Sequence, residues 1–174
     1  MLYVLALLAL VAGVVVDSAF HRGSHILYSD ADHRTLRPAR ALRAPRLGLL
    51  AKPDYVLRED GELVVEEVKS GWVRGAPYSH HVIQLGVEML VVEEAFRRRP
   101  PRGRLRYRNR TIAIANTEGL RQQVLEMADR YRAVADGQQS PMPTRDVAKC
   151  RKCPVQALCP IGSANAPGVG HHAD

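Results

Sequence analysis

Two acidic residues and a lysine are spaced so that a hairpin would gather them. Glu59-Asp60-Gly61-Glu62 has an Asp-Gly centre, the composition of a two-residue β-turn. A turn there pairs Glu59 with Glu62. Counting back along both arms sets Asp54 opposite Glu67, with Cβ atoms about 4.5–5.5 Å apart on one sheet face. Lys69 lies two residues beyond Glu67 and shares that face. Facing carboxylates repel unless a cation sits between them, and a hard divalent ion such as Mg2+ or Mn2+ suits them. The backbone carbonyl of Val68 would offer a third oxygen. A lysine beside such an ion can position or deprotonate a water and offset charge at a phosphodiester. It can also lose its proton where arginine cannot. Lys occurs only at Lys52, Lys69, Lys149 and Lys152, and Arg supplies the rest of the 25 basic residues, so Lys69 stands out. From spacing alone, an ordinary lattice of surface ion pairs remains the competing reading.

The elements that must position these groups follow from periodicity. Leu47 to Ala51 reads as a short strand, and Tyr55 to Arg58 and Leu63 to Lys69 as the hairpin arms. Tyr78 to Arg97 is predicted helical, with apolar Val82, Leu85, Met89, Val92 and Phe96, and it stops before Pro100-Pro101. Leu105 to Tyr107 and Thr111 to Ala115 form a second hairpin around Asn109-Arg110. A second helix runs from about Thr117 to Ala135 and ends at Gly137. The order β-β-β-α-β-β-α gives an α/β sheet of modest size. The division expected is an N-terminal anchor over 1–20, a basic linker over 21–46, a core over 47–137 and a cysteine-bearing tail over 138–174.

Pro53-Asp54, then Glu67-Val68-Lys69 followed by Ser70-Gly71, then a helix carrying Gln84, resembles the PD-(D/E)XK nuclease superfamily, most closely its RecB-like branch. The carrying stretches are Leu50-Ala51-Lys52-Pro53-Asp54 and Val65-Glu66-Glu67-Val68-Lys69-Ser70-Gly71. The resemblance implies a restriction-endonuclease-like core, a central mixed sheet flanked by helices. It implies that Asp54 and Glu67 bind the metal, Lys69 is catalytic and Gln84 contacts DNA or the site. His81, Gln84 and Glu88 fall on one helical stripe opposite the apolar one. Glu88 stands where that branch has Tyr, and His81 reads as a structural or solvent-facing residue before an active-site one. The branch also places an acidic residue or His ahead of the first strand, for which His25 is the nearby candidate.

All three cysteines lie in Cys150-Arg151-Lys152-Cys153 and Cys159-Pro160. An odd, tight cluster argues against a disulfide framework, and C-x2-C-x5-C thiolates suit zinc or an iron–sulfur centre. Placed after a RecB-like core, this tail is similar to that of the CRISPR-associated exonucleases with a C-terminal iron–sulfur cluster. That resemblance implies a 4Fe–4S cofactor, single-stranded DNA as substrate and the CRISPR integrase as partner. No cysteine precedes Cys150, so either a His such as His25, His33, His171 or His172 supplies the fourth ligand or the cluster is incomplete or lost.

Composition agrees with a polyanion partner. The net charge is +7, 46% of the 174 residues are hydrophobic and 25% are charged, which excludes a disordered chain and leaves nucleic acid or anionic lipid. Met1 to Val16 carries no charged side chain, and Arg22, Arg34 and Arg37 follow it. This is the pattern of a single-pass membrane anchor with the core on the cytoplasmic side, read ahead of a cleaved signal peptide and of a buried or mis-started helix. Arg34, Arg37, Arg40, Arg43 and Arg46 recur every third residue, a period that polyproline II would align on one side. Two rivals of other classes stand beside the nuclease: a catalytically silent nucleic-acid-binding or membrane scaffold, and a zinc-only regulatory module.

Overall fold

The computed structural model describes residues 23–32, 37–141, 144, 146–159 and 161–162. Nine strands and three α-helices are described. The strands are β1 (His25–Ser29), β2 (Ala31–Asp32), β3 (Arg37–Pro38), β4 (Leu42–Ala44), β5 (Leu49–Ala51), β6 (Tyr55–Glu59), β7 (Glu62–Val68), β8 (Arg102–Arg106) and β9 (Thr111–Ala115). The helices are α1 (Ser79–Phe96), α2 (Glu118–Ala135) and α3 (Val147–Arg151). The chain divides into two compact units, Met1–Met127 and Ala128–Asp174, with the boundary inside α2.

The first unit is built on a five-stranded mixed sheet in the order β1-β6-β7-β8-β9. The β6–β7 hairpin forms because Asp60 and Gly61 both take positive φ, 47° and 80°, as a turn matched to the sheet's twist requires. Its register is the one the sequence predicts, from Glu59 opposite Glu62 to Tyr55 opposite Glu66. β7 runs parallel to β8, so α1 serves as the crossover between them. Sheet and helix enclose a core that includes Val56, Val65, Leu85, Met89, Val92 and Leu105. Along β7, Leu63, Val65 and Glu67 share the face turned to this core, while Val64 and Glu66 take the other.

The helices begin and end where local chemistry dictates. Arg97 takes a left-handed conformation, φ 52°, and closes α1 just before Pro100 and Pro101. The Thr117 hydroxyl accepts the Leu120 N–H at 3.2 Å to start α2, and Gly137, φ 71°, follows its end. Gly86 and Gly103 are places of close approach: a Cβ on Gly86 would lie 2.8 Å from Val124 Cγ2, and one on Gly103 2.9 Å from Leu85 Cδ1.

Several expectations are corrected. The region read as a basic linker over 21–46 supplies β1, which pairs with β6 and belongs to the central sheet. Leu49–Ala51 is a strand, but it pairs with β4 in a separate two-stranded ribbon. The polyproline comb is not formed by its described members: Arg43 lies in β4 opposite Leu50, and Arg46 lies in the β4–β5 turn. Hydrogen bonding to a neighbouring strand wins over an unpaired extended chain, because it satisfies the backbone. Arg34 and the Met1–Phe20 anchor lie outside the described residues. Among the described residues no helix is long and apolar enough to cross a membrane.

In the second unit the Asp146 carboxylate caps α3, accepting the Ala148 N–H at 3.0 Å, and a 3-10 turn follows at Gln156–Leu158. Cys150, Cys153 and Cys159 are free thiols. Cys150 is buried and its Sγ faces the Thr144 carbonyl at 3.9 Å. Among the described residues no three His, Cys, Asp or Glu side chains are gathered to hold a metal. The expected iron–sulfur or zinc centre is therefore not assembled by the thiols as placed. His33, His171 and His172 lie outside the described residues.

Candidate active site

The predicted register delivers its result at the end of the sheet. Beyond Tyr55 opposite Glu66, the next pair would be Asp54 and Glu67. Asp54 Oδ2 there accepts the Val68 N–H at 2.6 Å. The Val68 amide thus holds the Asp54 carboxylate in place. Lys69, two residues past Glu67, donates from Nζ to Glu67 Oε1 at 2.8 Å and to Gln84 Oε1 at 2.6 Å. Gln84, one turn into α1, donates from Nε2 to Glu67 Oε1 at 2.7 Å and to Glu88 Oε1 at 3.0 Å. Asp54, Glu67, Lys69 and Gln84 are brought together, from two strands and the crossover helix.

Glu88 joins them, which the sequence reading missed. The stripe read as opposite the apolar one borders it: at 3.6 residues per turn Glu88 falls within about 60° of Leu85 and Val92, and it is 3% exposed. The available signal was its i, i+4 spacing from Gln84. Burial, and then the charge of Glu67, push its carboxyl up to about 9, against the smaller opposing effect of the Gln84 hydrogen bond. Asp54 is raised to about 6, by burial first and by Glu67 and Asp30 after it, while the Val68 N–H acts the other way. Asp30 is the second residue missed: its N–H donates to the Asp54 carbonyl at 3.0 Å, and its carboxylate pairs with Lys52. Nothing in its local sequence marks it, because the β1–β6 pairing alone brings it there.

The remaining candidates separate. His81 lies beside the cluster, with Nδ1 2.8 Å from the Tyr107 hydroxyl, and burial, then the Lys69 charge, lower its pKa. His25 is not brought there. It is exposed and pairs with Arg58, at the hairpin end of β6, while Asp54 follows the opposite end about 13 Å away.

Three carboxyl groups thus face one ammonium. Glu88 Oε2 is buried without a hydrogen-bond partner among the described residues, and two of the three carboxyls are held towards their protonated forms by burial first and by the neighbouring carboxylate charge after it. This donor set, all oxygen and anionic, fits a hard divalent cation. Among the described residues no three such side chains are gathered as a metal cage in the present arrangement. With such an ion, the cluster is equipped to hold and attack a phosphodiester.

Comparison with known proteins bears on this directly. A sequence model of the PD-(D/E)XK nuclease superfamily matches residues 16–160. The CRISPR-associated exonuclease Cas4/endonuclease Cas1 fusion of Myxococcus xanthus (strain DK1622) is 30% identical over 157 residues. The match takes in 83% of this chain but 27% of that protein, so the chain spans about a quarter of the relative's length. The crystal structure of SSO0001 overlays with a TM-score of 0.44 at 18% identity, covering 91% of this chain and 70% of that one.

Proposed function

Because the chain belongs to the PD-(D/E)XK nuclease superfamily, we propose that it is a deoxyribonuclease dependent on Mg2+ or Mn2+, an exonuclease acting on single-stranded ends. The observation that carries this is the meeting of Asp54, Glu67, Lys69 and Gln84 at one end of the sheet. Asp54 and Glu67 are the metal ligands, and Glu88 is a third carboxyl within reach of the same charge. A bound divalent ion supplies a more acidic water and neutralises charge on the phosphate. Lys69 has its ammonium fixed by two acceptors, so it meets the attacking water or the phosphate oxygens without a search through rotamers. Gln84 positions Lys69 through its carbonyl and Glu67 through its amide.

The biological setting is proposed as CRISPR spacer acquisition, with the integrase as partner. The support is the relative's union of an exonuclease with endonuclease Cas1 in one chain. The membrane tether remains part of the proposal on the composition of residues 1–20. A soft metal at the cysteine tail rests on the thiol spacing alone, and iron and zinc content of the full chain tests it.

The test of activity is Mn2+-dependent degradation of an end-labelled single-stranded oligonucleotide beside a circular single strand of the same composition. Loss of the linear substrate only is expected, with a fall of about 10²–10⁴-fold in Lys69→Ala. Cleavage unaffected by that substitution would defeat the assignment. A second reading, a fold kept for binding without cleavage, is favoured by Glu88 standing where the RecB-like branch has Tyr. Its signature is equal DNA binding and no cleavage in both proteins.

A further inference from the structure

The only tryptophan of the chain, Trp72, follows Lys69 by three residues in the segment joining β7 to α1, and it is 67% exposed. Its backbone is pinned on both sides. The Arg108 N–H donates to the Gly71 carbonyl at 3.1 Å. Asn109 grips Val73 twice, accepting its N–H at 3.1 Å and donating to its carbonyl at 2.7 Å. Val73 itself is buried in the core, so the residues flanking Trp72 are fixed while the indole stands in solvent.

Its surroundings are basic and aromatic. Arg74 lies two residues on, and Arg108 and Arg110 belong to the β8–β9 turn that holds the segment. All three are exposed, and none has an acidic partner among the described residues. Tyr78, 52% exposed, stacks on His80 with ring centroids 5.7 Å apart where the segment enters α1. Three residues of extended chain span at most about 10 Å, so the Trp72 Cα lies no farther than that from the Lys69 Cα. A large exposed aromatic face on a pinned backbone, beside exposed guanidinium groups, matches the way single strands are bound: stacking for bases and positive charge for phosphates.

We propose that Trp72 is a stacking platform for an unpaired base next to the phosphodiester held at Asp54, Glu67 and Lys69, with Arg74, Arg108 and Arg110 taking the flanking phosphates. The inference rests on the nuclease reading and adds the element that selects unpaired nucleic acid, since paired bases present no free face to the indole.

As the only tryptophan, Trp72 reports on itself. The full-length chain carrying Lys69→Ala is titrated in EDTA with a 12-nucleotide oligothymidine, with a duplex of equal length and with phosphatidylglycerol vesicles, and indole emission is followed. Quenching by the single strand alone is expected. In the same background, Trp72→Leu weakens binding of that strand by about 5- to 150-fold, as expected for one base–aromatic stack, and Trp72→Phe restores most of it. Unchanged emission and unchanged affinity in Trp72→Leu overturn the platform. So does a blue shift on vesicles with no response to oligothymidine, which assigns the indole to a lipid surface. Manganese-dependent cleavage by the wild-type chain is scored separately. Its absence overturns the nuclease reading and leaves the quenching result to stand alone, whereas cleavage with an indifferent Trp72 overturns only the platform.

Discussion

Replacing Glu88 by Gln should stabilise the protein, and by an amount that depends on pH. The Glu88 carboxyl is nearly sealed from water and lies one hydrogen-bonded step, through Gln84, from Glu67. Its folded-state pKa of about 9 compares with an ordinary value of 4.5. Between those two values the folded chain keeps a proton that the unfolded chain releases. Stability from this group is therefore complete below pH 4.5 and declines as pH rises towards 9. At pH 7 the decline amounts to about 3 kcal/mol, at 1.36 kcal/mol for each unit above the unfolded value. Gln has the same shape and still reaches Gln84 and Glu67, but it has no proton to lose. Urea unfolding in EDTA at pH 5 and pH 7.5 measures the difference. Glu88→Gln should match the wild type within about 1 kcal/mol at the lower pH and exceed it by about 2–4 kcal/mol at the higher. Adding Mn2+ at pH 7.5 should narrow the gap, because an ion among the carboxyls favours the ionised Glu88 of the wild type. Equal differences at both pH values would show that desolvation of Glu88 does not govern the site.

Gly86→Ala sets helix propensity against packing. Alanine gains about 0.5–1 kcal/mol in a helix interior. Its Cβ, however, would meet Val124 Cγ2 at 2.8 Å, on a stiff and fully buried side chain. Overpacking of about 1–3 kcal/mol prevails, and chemical denaturation should show a net loss, while a gain would mean that α2 yields. Arg104→Ala should cost about 1.5–3 kcal/mol in the same assay. Arg104 Nε holds buried Glu66 Oε2 at 2.5 Å, and its loss removes one of the guanidinium groups paired with that carboxylate.

The hairpin and its chemistry were legible because they depend on local rules. The Asp60-Gly61 turn fixes pairing by count, and pairing fixes which side chains share a face. What escaped notice depends on contacts between segments distant in the chain. β1 joins the sheet through residues that look like a basic linker, and Asp30 reaches Asp54 only through that pairing. Glu88 appeared polar and therefore outward. Its burial follows from helical spacing, which sets it beside Leu85 and Val92 at the edge of the stripe that α1 turns to the sheet. Trp72 carried no pattern at all, since exposure of a loop residue is a property of what pins its neighbours.

The parallel pairing of β7 with β8 has a consequence for synthesis. Asp54, Glu67, Lys69 and Gln84 all leave the ribosome before Arg102–Arg106, yet β7 has an open edge until that later strand closes on it. Joining them requires the whole of α1 to be in place, a slow step of high sequence separation. A half-made chain therefore holds every reactive group and no rigid frame for them, and hydrolytic competence arrives only with the last strands of the sheet. For a chain of a nuclease superfamily, that delay keeps the cluster unassembled until translation of the sheet is complete.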